Sequence, residues 1–237
     1  MQDNRPMDTD VLRRNLDSVR HRIAEAAQRS GRSPDEVTLV VVTKRLPVEV
    51  VPPLVALGAL DLGENYPQEL WEKVNHLGNS SVRWHLIGHL QSNKAKKTVP
   101  MVRMIHAVDS LRLLQGLDAL VADPENGPAV CLQVNTSNEP AKHGWSVDEI
   151  LADADAIAGC RNLRVAGLMT MAALDTTSET ARPSFILLRD VREKLKERTG
   201  LRLEQLSMGM SNDFETAIEE GATIVRVGSA IFEGVFS

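Results

Sequence analysis

A lysine, an arginine and a glycine–serine pair stand at the ends of two apolar runs that lie far apart in this 237-residue chain. The first run, Thr38 to Val42, delivers Lys44. The second, Thr223 to Val227, carries Arg226 and is followed by Gly228-Ser229, which open a short helix-like stretch from Ala230 to Phe232. An amine at the mouth of a sheet can form an imine, the more readily when partial desolvation and neighbouring cations lower its proton affinity. A glycine and a hydroxyl at a helix start can hold a phosphate. An aldehyde that carries a phosphate asks for both, and pyridoxal phosphate is the commonest such molecule in protein chemistry. The plainer reading of Lys44 is an exposed lysine whose stem covers apolar surface.

Further polar residues cluster after other apolar runs. Ser211 is a second candidate phosphate ligand, although Ser211-Asn212-Asp213 also has the composition of a helix cap. Gly209 suits a close backbone approach or a positive φ. Arg226 lies inside its run, so if it points inward it needs a partner. A pyridine nitrogen would be an unusual one. Arginine stays protonated, so it would donate a hydrogen bond and leave that nitrogen without a proton, which makes a weak electron sink. A structural ion pair with a nearby carboxylate is the alternative. His85 and His89 are four apart with His106 nearby, which raises the question of a metal. A strand end and Gly88 separate the first two, so the expectation is packing and hydrogen bonding, with no metal.

These residues need elements to position them. The opening stretch, Asp8 to Ser30, has Val11, Leu12, Leu16, Val19 and Ile23 at helical spacing and is stopped by Gly31. Eight short β-branched runs follow: Thr38–Val42, Ala59–Leu62, Arg83–Ile87, Met104–Ala107, Ala129–Val134, Leu163–Leu168, Gln205–Met208 and Thr223–Val227. Helix-favouring segments separate them at Val48–Leu57, Pro67–Leu77, Asn93–Thr98, Leu111–Ala122, Val147–Ile157, Arg182–Thr199 and Asp213–Glu220. The strands are continuous apolar runs, as expected when both faces are buried. The expected fold is α/β, a single (β/α)8 TIM-type barrel with an extra N-terminal helix, in which residues just past the strands do the work. A doubly wound open sheet is the alternative. It normally offers a glycine-rich turn after its first strand, and Thr43-Lys44-Arg45-Leu46-Pro47 has none. The eight units consume the chain, so residues 1–237 are expected to form one domain, with a loop above the barrel at Ala173 to Thr180.

Composition narrows the classes. Charged residues make up 25% and apolar residues 43%, enough for a full core. The net charge of -5 argues against a nucleic-acid surface, and Lys94, Lys96 and Lys97 read as a solvated helix face. Cys131 and Cys160 sit far apart in apolar settings, with no metal or disulfide spacing, which points to a reducing, cytoplasmic setting. No signal-peptide core and no membrane-spanning run is present.

Taken together, the motifs are specific. Thr43-Lys44 after VVV, GENYPQE from Gly63, WHLIGHLQSNKAK from Trp84, HAVDS from His106, LQVNTSNEPAKHGW from Leu132, GLMTM from Gly167 and LSMGMSNDFETAIEEGATIVRVGSAIF from Leu206 resemble the pyridoxal phosphate homeostasis protein family. These are small proteins similar to the barrel domain of alanine racemase, and the resemblance runs from about residue 8 to residue 234. It implies a protein that binds pyridoxal 5'-phosphate as an internal aldimine on Lys44, with Ser211 and Gly228-Ser229 on the phosphate. It also implies Arg226 facing the ring nitrogen and Asn65 as a polar residue near the cofactor. The implied role is vitamin B6 homeostasis, a carrier without an established reaction that hands the cofactor to apo-enzymes. Thr43 stands where serine is common and Ser229 where threonine is common; both keep the hydroxyl. Glu233 follows Phe232 and the tail is short, so the contacts of a longer tail are not expected.

The alternative is a PLP-dependent amino-acid racemase, and a third reading is a lysine-imine aldolase on a phosphosugar. A racemase needs a base on each face of its ligand, and alanine racemases draw the second from another domain and a partner subunit. With its last residue at Ser237 and a single tyrosine, Tyr66, this chain is expected to lack that base, so no catalytic residue is assigned. It is expected to act as a monomer.

Overall fold

Eight parallel strands close on themselves in simple sequence order, each paired with its chain neighbour and the last with the first. They are β1 (Thr38–Val42), β2 (Asp61–Glu64), β3 (Arg83–Leu86), β4 (Met104–Val108), β5 (Ala129–Gln133), β6 (Arg164–Met169), β7 (Gln205–Ser207) and β8 (Ile224–Val227). The computed structural model describes residues 7–78, 80–123, 125–137, 139, 143–172 and 178–236. The closed parallel barrel is the fold the alternating pattern predicts.

Helices α1 (Thr9–Arg29), α2 (Val51–Ala56), α3 (Pro67–Leu77), α4 (Ser92–Thr98), α5 (Leu111–Asp118), α6 (Val147–Ala152), α7 (Ala154–Ala158), α8 (Ser178–Thr199), α9 (Phe214–Glu219) and α10 (Ser229–Phe232) lie between and around the strands. α1 starts where Asp8 accepts hydrogen bonds from the N–H groups of Asp10 and Val11 and stops before Gly31, at φ 71°. Its Leu12, Leu16, Val19 and Ile23 are buried, each worth about 1.5–3 kcal/mol. Arg22 pairs with Glu215 on α9, and the Asn15 amide donates to the carbonyls of Ile231 and Glu233, which ties α1 to the segments on both sides of β8.

Several boundaries move. β2 sits two residues later than the apolar run suggests, so Gly63 and Glu64 are part of the strand and only Asn65 follows it. The physical reason is pairing: Asp61 to Glu64 register with Arg83 to Leu86 of β3, and Ala59 and Leu60 are left outside the ladder. The expected Val147–Ile157 helix is broken at Asp153 into α6 and α7. α8 begins at Ser178, earlier than expected, and contains Pro183. Of the expected loop at Ala173 to Thr180, residues 173–177 lie outside the described residues and the rest is already helical.

Strand pleating sorts the core into two compartments. Val41, Leu62, Leu86, Ile105, Val130, Leu132, Leu206, Val225 and Val227 face outward into the helix layer. A smaller inner cluster holds Val40, Met104, Ala107, Ala129, Cys131, Ala166, Met169 and Ile224. Half of these inner residues are alanine or cysteine, which leaves room inside the barrel for larger polar side chains.

Candidate functional site

Lys44 stands in a tight turn at the end of β1. The N–H of Leu46 donates to the Thr43 carbonyl at 3.1 Å, so Lys44 and Arg45 are the turn's central pair. Arg45 has φ 62°, a left-handed backbone that costs a non-glycine residue about 1–2 kcal/mol. It is held there because its N–H donates to Glu69 at 2.9 Å. Lys44 is exposed and forms no hydrogen bond or ion pair among the described residues, so the partly desolvated amine expected from sequence is instead a free, accessible one. Beneath the turn, the Lys73 ammonium donates to the Thr43 carbonyl at 2.8 Å and to Glu64, which also accepts from the Thr43 hydroxyl. Burial pushes the Glu64 carboxyl above its ordinary value, opposed by the charge of Lys73 and by these two hydrogen bonds.

The second group forms at the neighbouring strand ends. The Ser211 hydroxyl, after β7, accepts from the N–H groups of Gly228 and Ala230 after β8, both at 3.4 Å. Two backbone donors and one hydroxyl thus converge on one point at long, easily exchanged distances, with Ser229 exposed beside them. Ser211 does not cap α9. The N-cap is Asp213, and its carboxylate accepts from the N–H of Met210 at 2.6 Å. Gly209 is required twice over: its φ is 94°, and a Cβ there would lie 2.6 Å from the Ala217 Cβ.

The register brings these groups into one arc. Val41 pairs with Val227, and Val42 pairs with Gly63. The chain ends that follow β7, β8, β1 and β2 are therefore consecutive around the rim and carry Ser211, Gly228-Ser229, Lys44 and Asn65. Asn65 packs against β3's end so tightly that a Cβ on Gly88 would lie 2.3 Å from its carbonyl oxygen. Next to it, hydrogen bonds from Arg45 and then Asn65 hold the Tyr66 phenol below its ordinary value.

Arg226 points inward and is buried, with its guanidinium fixed on two sides. Nη1 donates to the Ser207 hydroxyl at 2.6 Å and Nη2 to the Thr170 carbonyl at 2.9 Å. Among the described residues it has no ion pair, so the expected alternative of a structural salt bridge is replaced by neutral acceptors. Burial pushes it down to about 10, partly offset by the charge of Asp213, so it remains a cation at neutral pH. Behind Ser207 the contacts continue: His106 lies 2.7 Å from the Ser207 hydroxyl, His85 lies 2.8 Å from His106, and Asp61 lies 3.0 Å from His85. Sequence reasoning treated these histidines as packing residues. The available signal was pleat parity, since His85, His106, Ser207 and Arg226 occupy inward positions on their strands.

His89 does not join them. It lies past the strand, on the other side of Gly88, and donates from Nδ1 to the Asp109 carboxylate at 2.7 Å, with His143 stacked on it at 4.9 Å between ring centroids and 20° between planes. His89, Asp109 and His143 offer ligand atoms that all lie within 4.8 Å of one another, so this mostly exposed rim group has the composition of a metal site, a different set from the His85, His89 and His106 considered from sequence. Burial raises the Cys131 thiol to about 12, an inert core sulfur.

This is a (β/α)8 barrel that gathers a free lysine, a hydroxyl-and-amide cradle and a buried arginine at the C-terminal ends of adjacent strands. The family model "Alanine racemase, N-terminal domain" matches residues 14–234. The pyridoxal phosphate homeostasis protein of Pseudomonas aeruginosa is 39% identical over 228 residues, covering 94% of this chain and 95% of that protein. That of Escherichia coli K12 is 37% identical, covering 92% and 94%. PipY of Synechococcus elongatus, solved with PLP bound, is 36% identical with a TM-score of 0.79, covering 89% of this chain and 99% of that one. The chain belongs to the pyridoxal phosphate homeostasis protein family. An alanine racemase from Corynebacterium glutamicum shares the fold at a TM-score of 0.73 but only 18% identity, and this chain covers 63% of it.

Proposed function

We propose that this chain binds pyridoxal 5'-phosphate and takes part in intracellular vitamin B6 homeostasis as a carrier. The observation that carries the reading is the convergence of the Ser211 hydroxyl with the N–H groups of Gly228 and Ala230, one strand away from the exposed amine of Lys44. The donor set fits the group. The hydroxyls and amides suit a phosphate, a free amine suits an aldehyde, and a cation that can only donate suits a ring nitrogen. Lys44 would be the covalent attachment point; Ser211, Gly228 and Ser229 would hold the phosphate; Arg226 would face the ring nitrogen and Asn65 the substituents beside it. When bound, the cofactor supplies an electrophilic carbonyl and an electron-withdrawing ring.

The carrier reading rests on what the residues do with protons. Arg226 keeps its own proton and is held by Ser207 and Thr170, so it cannot protonate a ring nitrogen. The bases at the rim next to Lys44 are the exposed Tyr66 phenol and the Glu69 carboxylate, which is already engaged by the Arg45 N–H. We place the protein in the cytoplasm as a single-domain monomer that passes the cofactor to apo-enzymes, with no nucleic-acid or membrane partner; no described helix is long and apolar enough to cross a membrane. The test is the visible spectrum of the purified protein mixed with PLP. A new band bleached by borohydride is the expected result, and an unchanged spectrum refutes binding. Deuterium incorporation into alanine, followed by proton NMR with Lys44→Ala as the blank, separates carrier from racemase. Exchange at about 1 s⁻¹ or faster would be enzymatic and would overturn the carrier reading.

A further inference from the structure

The barrel interior holds an unbroken line of polar contacts, from Arg226 near the rim to Asp61 at the opposite end of β2. The distances are 2.6 Å from Arg226 to Ser207, 2.7 Å from Ser207 to His106, 2.8 Å from His106 to His85 and 3.0 Å from His85 to Asp61. At the far end Arg83 clamps the same carboxylate. His85, His106, Ser207 and Arg226 are all below 5% exposed.

Elementary donor counting gives this line a direction. A guanidinium can only donate, so Ser207 receives at its oxygen and must pass its own proton on. The available acceptor is His106 Nδ1. That ring then carries its proton on Nε2 and donates to His85 Nδ1, and His85 in turn donates from Nε2 to the Asp61 carboxylate. Ser207, His106 and His85 each give once and receive once along the line, between a donor at one end and an acceptor at the other. One other arrangement is self-consistent: an extra proton on His85 would make it donate both ways, move the His106 proton to Nδ1 and make Ser207 accept twice. That state adds a second cation to an interior that already holds Arg226. Burial, any charge on His85, and Arg226 together push His106 far below its ordinary value.

We propose that Asp61, His85, His106 and Ser207 form one directional positioning chain for Arg226, with both histidines neutral and protonated on Nε2. The chain solves a specific problem. Arg226 is a buried cation without an ion pair among the described residues, and a carboxylate in contact with it would occupy the N–H groups that face the site. Aligned dipoles instead carry the influence of Asp61 to it, and fix the guanidinium plane between Ser207 and Thr170. That Arg226 faces a cofactor rests on the function proposed above; the chain's polarity does not.

The test has two separate arms. Long-range nitrogen–proton NMR of histidine-labelled protein without ligand reads each ring directly, with His85→Gln and His106→Gln variants for assignment. Both rings are expected as the neutral Nε2–H form in the protein without ligand. A charged His85, or His106 protonated on Nδ1, overturns the proposal whatever the protein binds. In the second arm, PLP affinity is measured for Ser207→Ala and Ser207→Thr. Outer partners that orient a ligand group are worth roughly 10- to 100-fold at metal sites, so alanine should weaken PLP about tenfold and threonine, which keeps the hydroxyl, should restore it. Equal affinity in wild type and Ser207→Ala refutes the positioning role. Absence of PLP binding in the wild type, with the rings as expected, refutes the function proposed above and leaves the chain standing.

Discussion

Lys73 and Glu64 form a buried ion pair directly behind the turn that presents Lys44. One carboxylate oxygen of Glu64 receives both the Lys73 ammonium and the Thr43 hydroxyl, while its other oxygen, Oε2, is buried with no hydrogen-bond partner among the described residues. The pair joins α3 to β2, and through the Thr43 carbonyl it holds the first residue of the turn. Together with the Arg45 N–H on Glu69 and the Leu46 N–H on the Thr43 carbonyl, it fixes the turn that presents Lys44.

Removing one partner of this pair leaves the other charged and buried. Lys73→Met is expected to cost about 3–5 kcal/mol of folding stability. The double variant Lys73→Met/Glu64→Gln should recover part of that loss, because no uncompensated charge remains. Urea unfolding of the two variants checks this. A loss below about 1 kcal/mol in the single variant would show that the pair does not anchor the turn.

Lys44→Ala should be thermodynamically silent and functionally complete. The side chain is exposed and unpaired, so stability should change by less than about 0.5 kcal/mol. Mass spectrometry after incubation with PLP and borohydride should find the adduct on Lys44 in the wild type and none in the variant. An adduct carried mainly by another lysine sinks the assignment.

Ser211→Ala and Ser229→Ala separate binding from capping. Each lost hydroxyl should weaken PLP by about 1–3 kcal/mol, or roughly 5- to 150-fold. Because Asp213 holds the N-cap position and the Ser211 hydroxyl bonds no N–H group of α9, Ser211→Ala should leave the melting temperature almost unchanged. An unchanged dissociation constant in the double variant would remove both from the site.

Asp61 makes an acid-side prediction. Burial alone would raise its carboxyl, but hydrogen bonds from Arg83 and His85 hold it well below its ordinary 3.8. A folded-state value below the unfolded one means the group stabilises the fold above pH 3.8 and loses that contribution as pH falls through the folded value. The stability gap between wild type and Asp61→Asn should therefore be about 1–3 kcal/mol near neutrality. It should narrow on acidification below roughly pH 4. Urea titrations at stepped pH measure it, and a gap independent of pH would contradict the pairing.

Arg226→Glu tests less than its chemistry promises. A carboxylate on β8 at that position would face the Thr170 carbonyl and the Ser207 oxygen, which now receive N–H donors. The variant should lose about 3–5 kcal/mol of stability from an unpaired buried charge. Arg226→Gln, which still offers an amide donor, is the substitution expected to fold, and circular dichroism melts of the two compare them.

The barrel and its rim were legible in the chain itself. Continuous apolar runs mark strands buried on both faces, and the residue that follows such a run must sit at the working end. Lys44, Asn65, Ser211, Gly228 and Ser229 could therefore be placed by position alone. What the interior does was decided only by tertiary structure. Glu64 lies beyond the apolar run Ala59–Leu62, and only pairing with β3 draws it into β2, where it meets Lys73. Ser211 has the local chemistry of a helix cap, yet its hydroxyl reaches across to β8. His85, His106 and Ser207 each show inward parity along their own strands. Which of them meet depends on strand register around a closed barrel and on the small neighbours, Ala129, Cys131 and Ala166, that leave them space. Neither register nor free volume is written in any one segment; both arise when the eighth strand pairs with the first.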